Sequence, residues 1–187
     1  MEQKESGQSE IGSLSMRKIP FIQEGRITIR ALTHDDAQPL QEFMEQEKEF
    51  KYLPTFLFEM QYDDADEVID LLYAECIKES IILGAFVDGD FCGLAEYYGF
   101  KDEIHKVSVG YRSLRKYWGQ GVGSEVLRLM IKYLYEETDT EIITASVMSE
   151  NTGSNRMVEK NGFTLVVHNA EEDWGFDEPA IVDKWIR

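Results

Sequence analysis

The chain has 187 residues, 43 % of them hydrophobic and 12 % aromatic, enough for one sizeable core but not for a second full domain. Its formal net charge of -17 argues against a nucleic-acid partner, because backbone phosphates demand a basic surface; it favours a cationic partner, or serves solubility alone. No run of eighteen apolar residues offers a membrane span and the first twenty residues lack the apolar block of a secretory signal, so a cytoplasmic location without a membrane partner is expected.

In chain order, residues 1–15 are polar and nearly free of large apolar side chains, which predicts a disordered tail ahead of a single domain over 16–187; Met16 is open as an alternative start. Residues 25–31 (GRITIRA) alternate as a strand does. Thr33 followed by Asp36 resembles a capping box that opens a helix, although Pro39 argues for a later start. A second helix is expected over 64–79, with Val68, Leu71, Leu72 and Cys76 on one face. Residues 80–87 and 91–100 read as strands joined at Asp88-Gly89, a tight-hairpin pair. A strand over 105–113 follows, and then the clearest helix, 121–137, where Val122, Val126, Leu129, Met130 and Tyr133 recur at helical spacing. A strand (141–148), a short helix (153–160) and strands over 163–167 and 180–185 complete an α+β (mixed α/β) order without repeats.

Cys76 and Cys92 sit in apolar stretches and read as buried thiols. The histidines His34, His105 and His168 match no ligand spacing, so no metal site is expected.

The stretch 107–125, VSVGYRSLRKYWGQGVGSE, runs from a strand through a basic, glycine-rich loop into the strong helix. Glycines 119, 121 and 123 let backbone N–H groups approach a ligand, and the helix start adds partial positive charge, which together make an anion cradle. Gly-x-Gly-x-Gly alone is weak evidence. The dinucleotide spacing Gly-x-Gly-x-x-Gly is absent, as is the Gly-Lys-Ser/Thr ending of a P-loop, and the loop follows three strands where a nucleotide-binding α/β protein would open with it.

Trp118-Gly119-Gln120-Gly121-Val122-Gly123 resembles the pyrophosphate-binding loop of GNAT acetyltransferases, usually Gln/Arg-x-x-Gly-x-Gly/Ala, with Trp118 in place of the Gln or Arg. The aromatic variant is similar to the branch holding ribosomal-protein alanine N-acetyltransferases and spermidine acetyltransferases. A second block, 151–163 (NTGSNRMVEKNGF), resembles the same branch in register, although a helix ending at Gly162 would look alike. The resemblance implies a mostly antiparallel sheet with one splayed parallel pair, flanked by helices, and acetyl-coenzyme A as co-substrate.

By the same resemblance, backbone groups of Arg112, Ser113 and Leu114 would meet the pantetheine arm, and amides of Gly119, Gln120, Gly121, Val122, Gly123 and Ser124 the pyrophosphate. Arg115 and Lys116 would add charge, or form a solvated loop. Asn151 would contact the arm or a water; Ser154 would assist the leaving thiolate, or only cap a helix. Val158 stands where many members carry a tyrosine acid, a modest loss because thiol pKa values lie at about 8.5.

Glu96, on a strand beside the cofactor strand, is the first choice to take the amine's proton, with His105 and Glu103 behind it; a solvent-exposed glutamate is the plain reading. Acidic segments (Glu45, Glu47, Glu49, Glu59, Asp63, Asp64; Glu171, Glu172, Asp173, Asp177, Glu178) and aromatics from Phe50 to Tyr62 suit a cationic acceptor, a protein N-terminus, a basic peptide, a polyamine or another small amine, or else are helix-start charges and ordinary core aromatics. The departures at Trp118 and Val158 keep an inactive coenzyme A-binding module as the alternative. The acceptor and the oligomeric state stay open, a homodimer included.

Overall fold

The computed structural model describes residues 18–187; the tail expected over 1–15 and Met16 lie outside the described residues. Eight strands and four helices follow one another as β1 (Ile22–Glu24), β2 (Ile27–Arg30), α1 (Ala37–Glu47), α2 (Ala65–Leu72), β3 (Ile81–Val87), β4 (Asp90–Lys101), β5 (Lys106–Ser113), α3 (Val122–Glu137), β6 (Ile142–Met148), α4 (Thr152–Lys160), β7 (Thr164–Glu172) and β8 (Ala180–Ile186). They form one sheet in the order β1-β2-β3-β4-β5-β6-β8-β7, antiparallel throughout except for β5 beside β6. The expected mostly antiparallel sheet with one parallel pair is what the chain adopts. No described helix is long and apolar enough to cross a membrane.

Local chemistry explains the boundaries. Asp36 accepts the Thr33 N–H at 2.8 Å and closes a single 3-10 turn, so α1 starts after it and Pro39 falls in the first helical turn, where no intrahelical acceptor awaits its missing N–H. Asp64 caps α2 by accepting from the amides of Asp66 and Glu67. The helix expected over 64–79 ends at Leu72: Tyr73 turns its hydroxyl to bridge Leu32 N–H (2.8 Å) and Ile82 C=O (3.0 Å), and Cys76–Lys78 is only a 3-10 turn. Asp88 and Gly89 both take positive φ, +50° and +85°, the geometry of a tight turn matched to strand twist.

Helices cover both faces. On one, Val126, Leu129 and Met130 of α3 and Val158 of α4 pack on Ile29, Leu83, Tyr97, Val109 and Ala145. On the other, Phe43 of α1 and Val68 and Leu72 of α2 pack on Ile82, Phe86 and Leu94. Phe43 is fully buried, and truncating such a ring to alanine costs about 3–5 kcal/mol. This second layer reaches β5 through Glu47 of α1 and Glu59 of the 3-10 turn Phe58–Gln61, both against Arg112, and its apolar cluster includes no residue of β6 or β8.

Candidate active site

β5 and β6 share register at only three positions: Lys106 with Ile142, Val107 with Ile143 and Ser108 with Thr144. A hydroxyl pair, Ser108 Oγ to Thr144 Oγ1 at 2.8 Å, closes this short ladder. Beyond it β6 is held by β8 and β5 by β4, and the two strands part. A cleft of about 1170 Å³ runs through the gap, touching Ser154, Met157 and Val158 from the α4 side and Glu96, Tyr98 and Lys184 from the other.

At the mouth of this wedge the chain enters α3 through Gly119 and Gly121, whose φ values of +69° and +78° strain any L side chain and whose Cβ positions face open space. Gly123 serves packing instead: a Cβ there would lie 3.0 Å from Met157 Sδ and 3.1 Å from Tyr111 Cε1. The first amide of the helix to be taken is that of Glu125, by Gly121 C=O at 3.1 Å, so the N–H groups of Val122, Gly123 and Ser124 have no intrahelical acceptor. A donor set of this kind, at the positive end of a sixteen-residue helix, fits a pyrophosphate.

Several expected cofactor contacts are already used within the protein. Leu114 N–H donates to Cys92 C=O at 2.9 Å, and Ser113 C=O accepts the Trp118 indole N–H at 3.0 Å. Trp118 therefore braces the loop, its ring 5.4 Å from that of Phe50 and tilted by 49° to it. Arg115 turns to Glu49 (3.1 Å), whereas Lys116 is exposed over Tyr117. Gln120 bonds back to Lys116 C=O, and Ser124 Oγ accepts from Asn161 Nδ2 at 3.1 Å. Asn151 caps α4 through Ser154 N–H (3.2 Å), so the cap is the asparagine, and the Ser154 side chain reaches the cleft.

Glu96 projects from β4 onto the cleft floor, almost buried. One of its oxygens, Oε2, accepts from Arg112 Nη1 at 2.8 Å. The same guanidinium binds Glu59 through Nε (2.6 Å) and Nη2 (2.8 Å). Glu47 completes the group, with Oε1 3.0 Å from Arg112 Nε, yet neither of its oxygens makes a well-formed hydrogen bond. Burial, and then the neighbouring Glu59, push the Glu47 carboxyl up to about 9, so it holds a proton at neutral pH. The Arg112 cation acts against desolvation and holds Glu59 below the usual carboxylate range. Arg112 thus contributes its side chain to the floor, where the sequence pointed only to its backbone.

His105 is not brought into this cleft. It stands at the opposite end of β5 in a left-handed conformation, bonded to Asp139 at 2.9 Å, and Glu103 is exposed beside it. No group of three or more His, Cys, Asp or Glu side chains among the described residues is arranged to hold a metal.

The acetyltransferase (GNAT) domain family matches residues 26–164 of this chain. The chain belongs to that family. By membership it is an acetyl-CoA-dependent N-acetyltransferase. A Bacillus subtilis (strain 168) protein, YdaF, provisionally named a ribosomal N-acetyltransferase, is 25 % identical over 144 residues, 73 % of this chain and 77 % of that one. Among solved structures, a RimL ribosomal L7/L12 alpha-N-protein acetyltransferase in complex with coenzyme A superposes with a TM-score of 0.75 at 16 % identity, covering 90 % of this chain and 97 % of that one. The Vibrio cholerae spermidine N-acetyltransferase in complex with CoA and spermine gives 0.70 at 18 %, covering 87 % and 95 %. Identities this low establish the shared fold.

Two features of this acetyltransferase escaped the sequence. Tyr98, two residues beyond Glu96 on the same face of β4, carries a hydroxyl without a hydrogen-bond partner among the described residues, and burial pushes its pKa up. Alternation from Glu96 would have found it. The second is a bridge over the cleft: Thr55 N–H and Oγ1 both donate to Trp174 C=O, at 2.8 and 3.1 Å, tying the α1–α2 connection to the β7–β8 loop. Gly175, with φ at +82°, permits it, since a Cβ there would lie 1.9 Å from Thr55 Oγ1. No short-range pattern encodes a pairing 119 residues apart.

Proposed function

We propose that this acetyltransferase moves the acetyl group of acetyl-coenzyme A onto a cationic primary amine by direct attack in a ternary complex. The observation that carries the reading is one cleft at the splay with a carboxylate floor, adjoining the α3 start whose Gly123 packs on the cleft-lining Tyr111 and Met157. The amides from Gly119 to Ser124 would hold the pyrophosphate, with Lys116 adding charge. Glu96 has a free oxygen, Oε1, to accept the amine's proton, while its Arg112 bond fixes the carboxylate in place. As the new C–N bond forms and the C–S bond breaks, the Ser154 hydroxyl is the near donor for the leaving sulfur. The names of two neighbours, a ribosomal-protein N-acetyltransferase and a spermidine N-acetyltransferase, support an amine acceptor. Two buried, unpaired thiols, Cys76 and Cys92, suit a reducing cytoplasmic setting.

Calorimetry with acetyl-coenzyme A tests the cradle. Gly121→Val places a branched side chain at a left-handed position facing the ligand. Affinity should fall at least about tenfold, a loss of about 1.4 kcal/mol. An unchanged dissociation constant places the cofactor elsewhere.

A further inference from the structure

We infer that the acceptor carries one ammonium on an apolar body, seated between Glu96 and Tyr98, and that the site discriminates against polyamines. The inference rests on the transfer reading above and narrows its acceptor class. It starts from charge balance on the buried floor. Arg112 is bonded to both oxygens of Glu59 and to one of Glu96. With Glu47 protonated, the group keeps a single unbalanced negative charge, and Glu96 Oε1 is the oxygen without a partner.

The second carboxylate on the floor is already spent. Glu172 accepts from Lys184 Nζ at 2.9 Å, from Trp174 Nε1 at 2.8 Å and from Ser146 Oγ at 3.2 Å. Tyr98 stands beside the one available carboxylate, its ring lying against Gly110, the residue opposite Glu96: a Cβ at 110 would meet Tyr98 Cε1 at an ordinary contact distance of 3.6 Å. Its neutral hydroxyl oxygen offers a second acceptor to an ammonium.

A cation, Lys106, stands at one end of the seat and the Lys184–Glu172 ion pair at the other. Lys106 Nζ bonds Gly99 C=O at 3.1 Å and Ser108 Oγ at 2.7 Å, and Lys184 lies across β6 in register with Ser146. A chain carrying further ammonium groups would bring them toward Lys106 in one direction and toward a carboxylate that Lys184 already neutralises in the other. Phe56, Leu57, Phe58 and Trp174 add apolar wall that suits an aliphatic body and solvates no second charge. Of the rim acids, Glu75 is paired with Lys78, and Asp173 and Glu79 keep their charge but are exposed and screened by solvent.

The test is coenzyme A release by the full chain with leucinamide, a Leu-first neutral peptide, spermidine and spermine. A kcat/KM at least about tenfold higher for leucinamide or the peptide than for either polyamine supports the inference, and the response to the two distinguishes a small acceptor from a protein N-terminus. Lys184→Met frees Glu172 for a second ammonium and should shift the spermidine-to-leucinamide ratio of kcat/KM about tenfold toward spermidine. Lys106→Met should shift the same ratio in the same direction. A parent enzyme that prefers spermidine overturns the inference, as does a ratio that neither variant moves. Absence of turnover with every amine, while acetyl-coenzyme A still binds, brings down the transfer reading itself.

Discussion

Glu47→Gln should stabilise the protein at neutral pH, against the usual outcome of altering a fully buried residue. Glu47 has a folded-state pKa of about 9 against an ordinary 4.5, set by burial and by Glu59. Because the folded value is the higher one, the folded form prefers the proton. The stabilisation from that preference is complete below about pH 4.5 and is lost as pH rises toward 9. Holding the proton at pH 7 therefore costs on the order of 3 kcal/mol. Glutamine is neutral at every pH and nearly the same shape; its NH₂ can donate to Glu59 and its oxygen can face Arg112 Nε. The variant should match the parent near pH 4.5 and exceed it by up to about 3 kcal/mol at pH 7, or roughly 6–12 °C in Tm for a chain of this length. Urea and thermal melts at pH 4.5, 6, 7 and 8.5 read this directly. A difference that ignores pH, or a loss at pH 7, would show that Glu47 is ionised and bound to Arg112, and the count of one negative charge on the floor would fail with it.

Glu96→Gln keeps the bond to Arg112 and removes the proton acceptor, so kcat should fall by about a hundredfold while acetyl-coenzyme A affinity holds. Equal rates for parent and variant across pH 6 to 9 would pass the role to water, because His105 and Glu103 stand away from the floor. Gly175→Ala forces a methyl onto Thr55 Oγ1 at a positive φ, and should cost about 1–3 kcal/mol and raise the acceptor KM more than that of acetyl-coenzyme A. An unaltered melt and unaltered constants would mean that the Thr55–Trp174 bridge contributes nothing to the acceptor side.

The parts of the fold legible in the sequence are those decided within a few residues. The positive-φ turn at Asp88-Gly89, the periodicity of α3 and the glycines at 119 and 121 each state their geometry locally. β1 gives no sequence signal because three residues hold too little alternation to register beside β2. β7 runs to Glu172, beyond the expected end at 167, across register shifts at Leu165/Val167 and Val167/Ala170 and a positive φ at Asn169, each of which hides the period of a strand. Its exposed Leu165, Val166 and Val167 also read as core when only their composition is seen.

Charge was the property that composition conveyed least well. The acidic segments assigned to acceptor capture are mostly engaged elsewhere: Glu49 with Arg115, Asp63 with Lys48, Asp64 with the amides that open α2, Glu172 with Lys184. Glu47 and Glu59 are buried around a guanidinium supplied by a strand more than fifty residues later. A formal charge of -17 therefore describes the surface field, which acts over a Debye length of about 8 Å at physiological ionic strength. What the acceptor meets at the reacting end of the cleft is set by pairing, and there a single carboxylate oxygen beside a neutral phenol is left to recognise it. Long-range attraction and final recognition are thus separable here: salt should weaken the first, while the seat at Glu96 and Tyr98 continues to select for one ammonium.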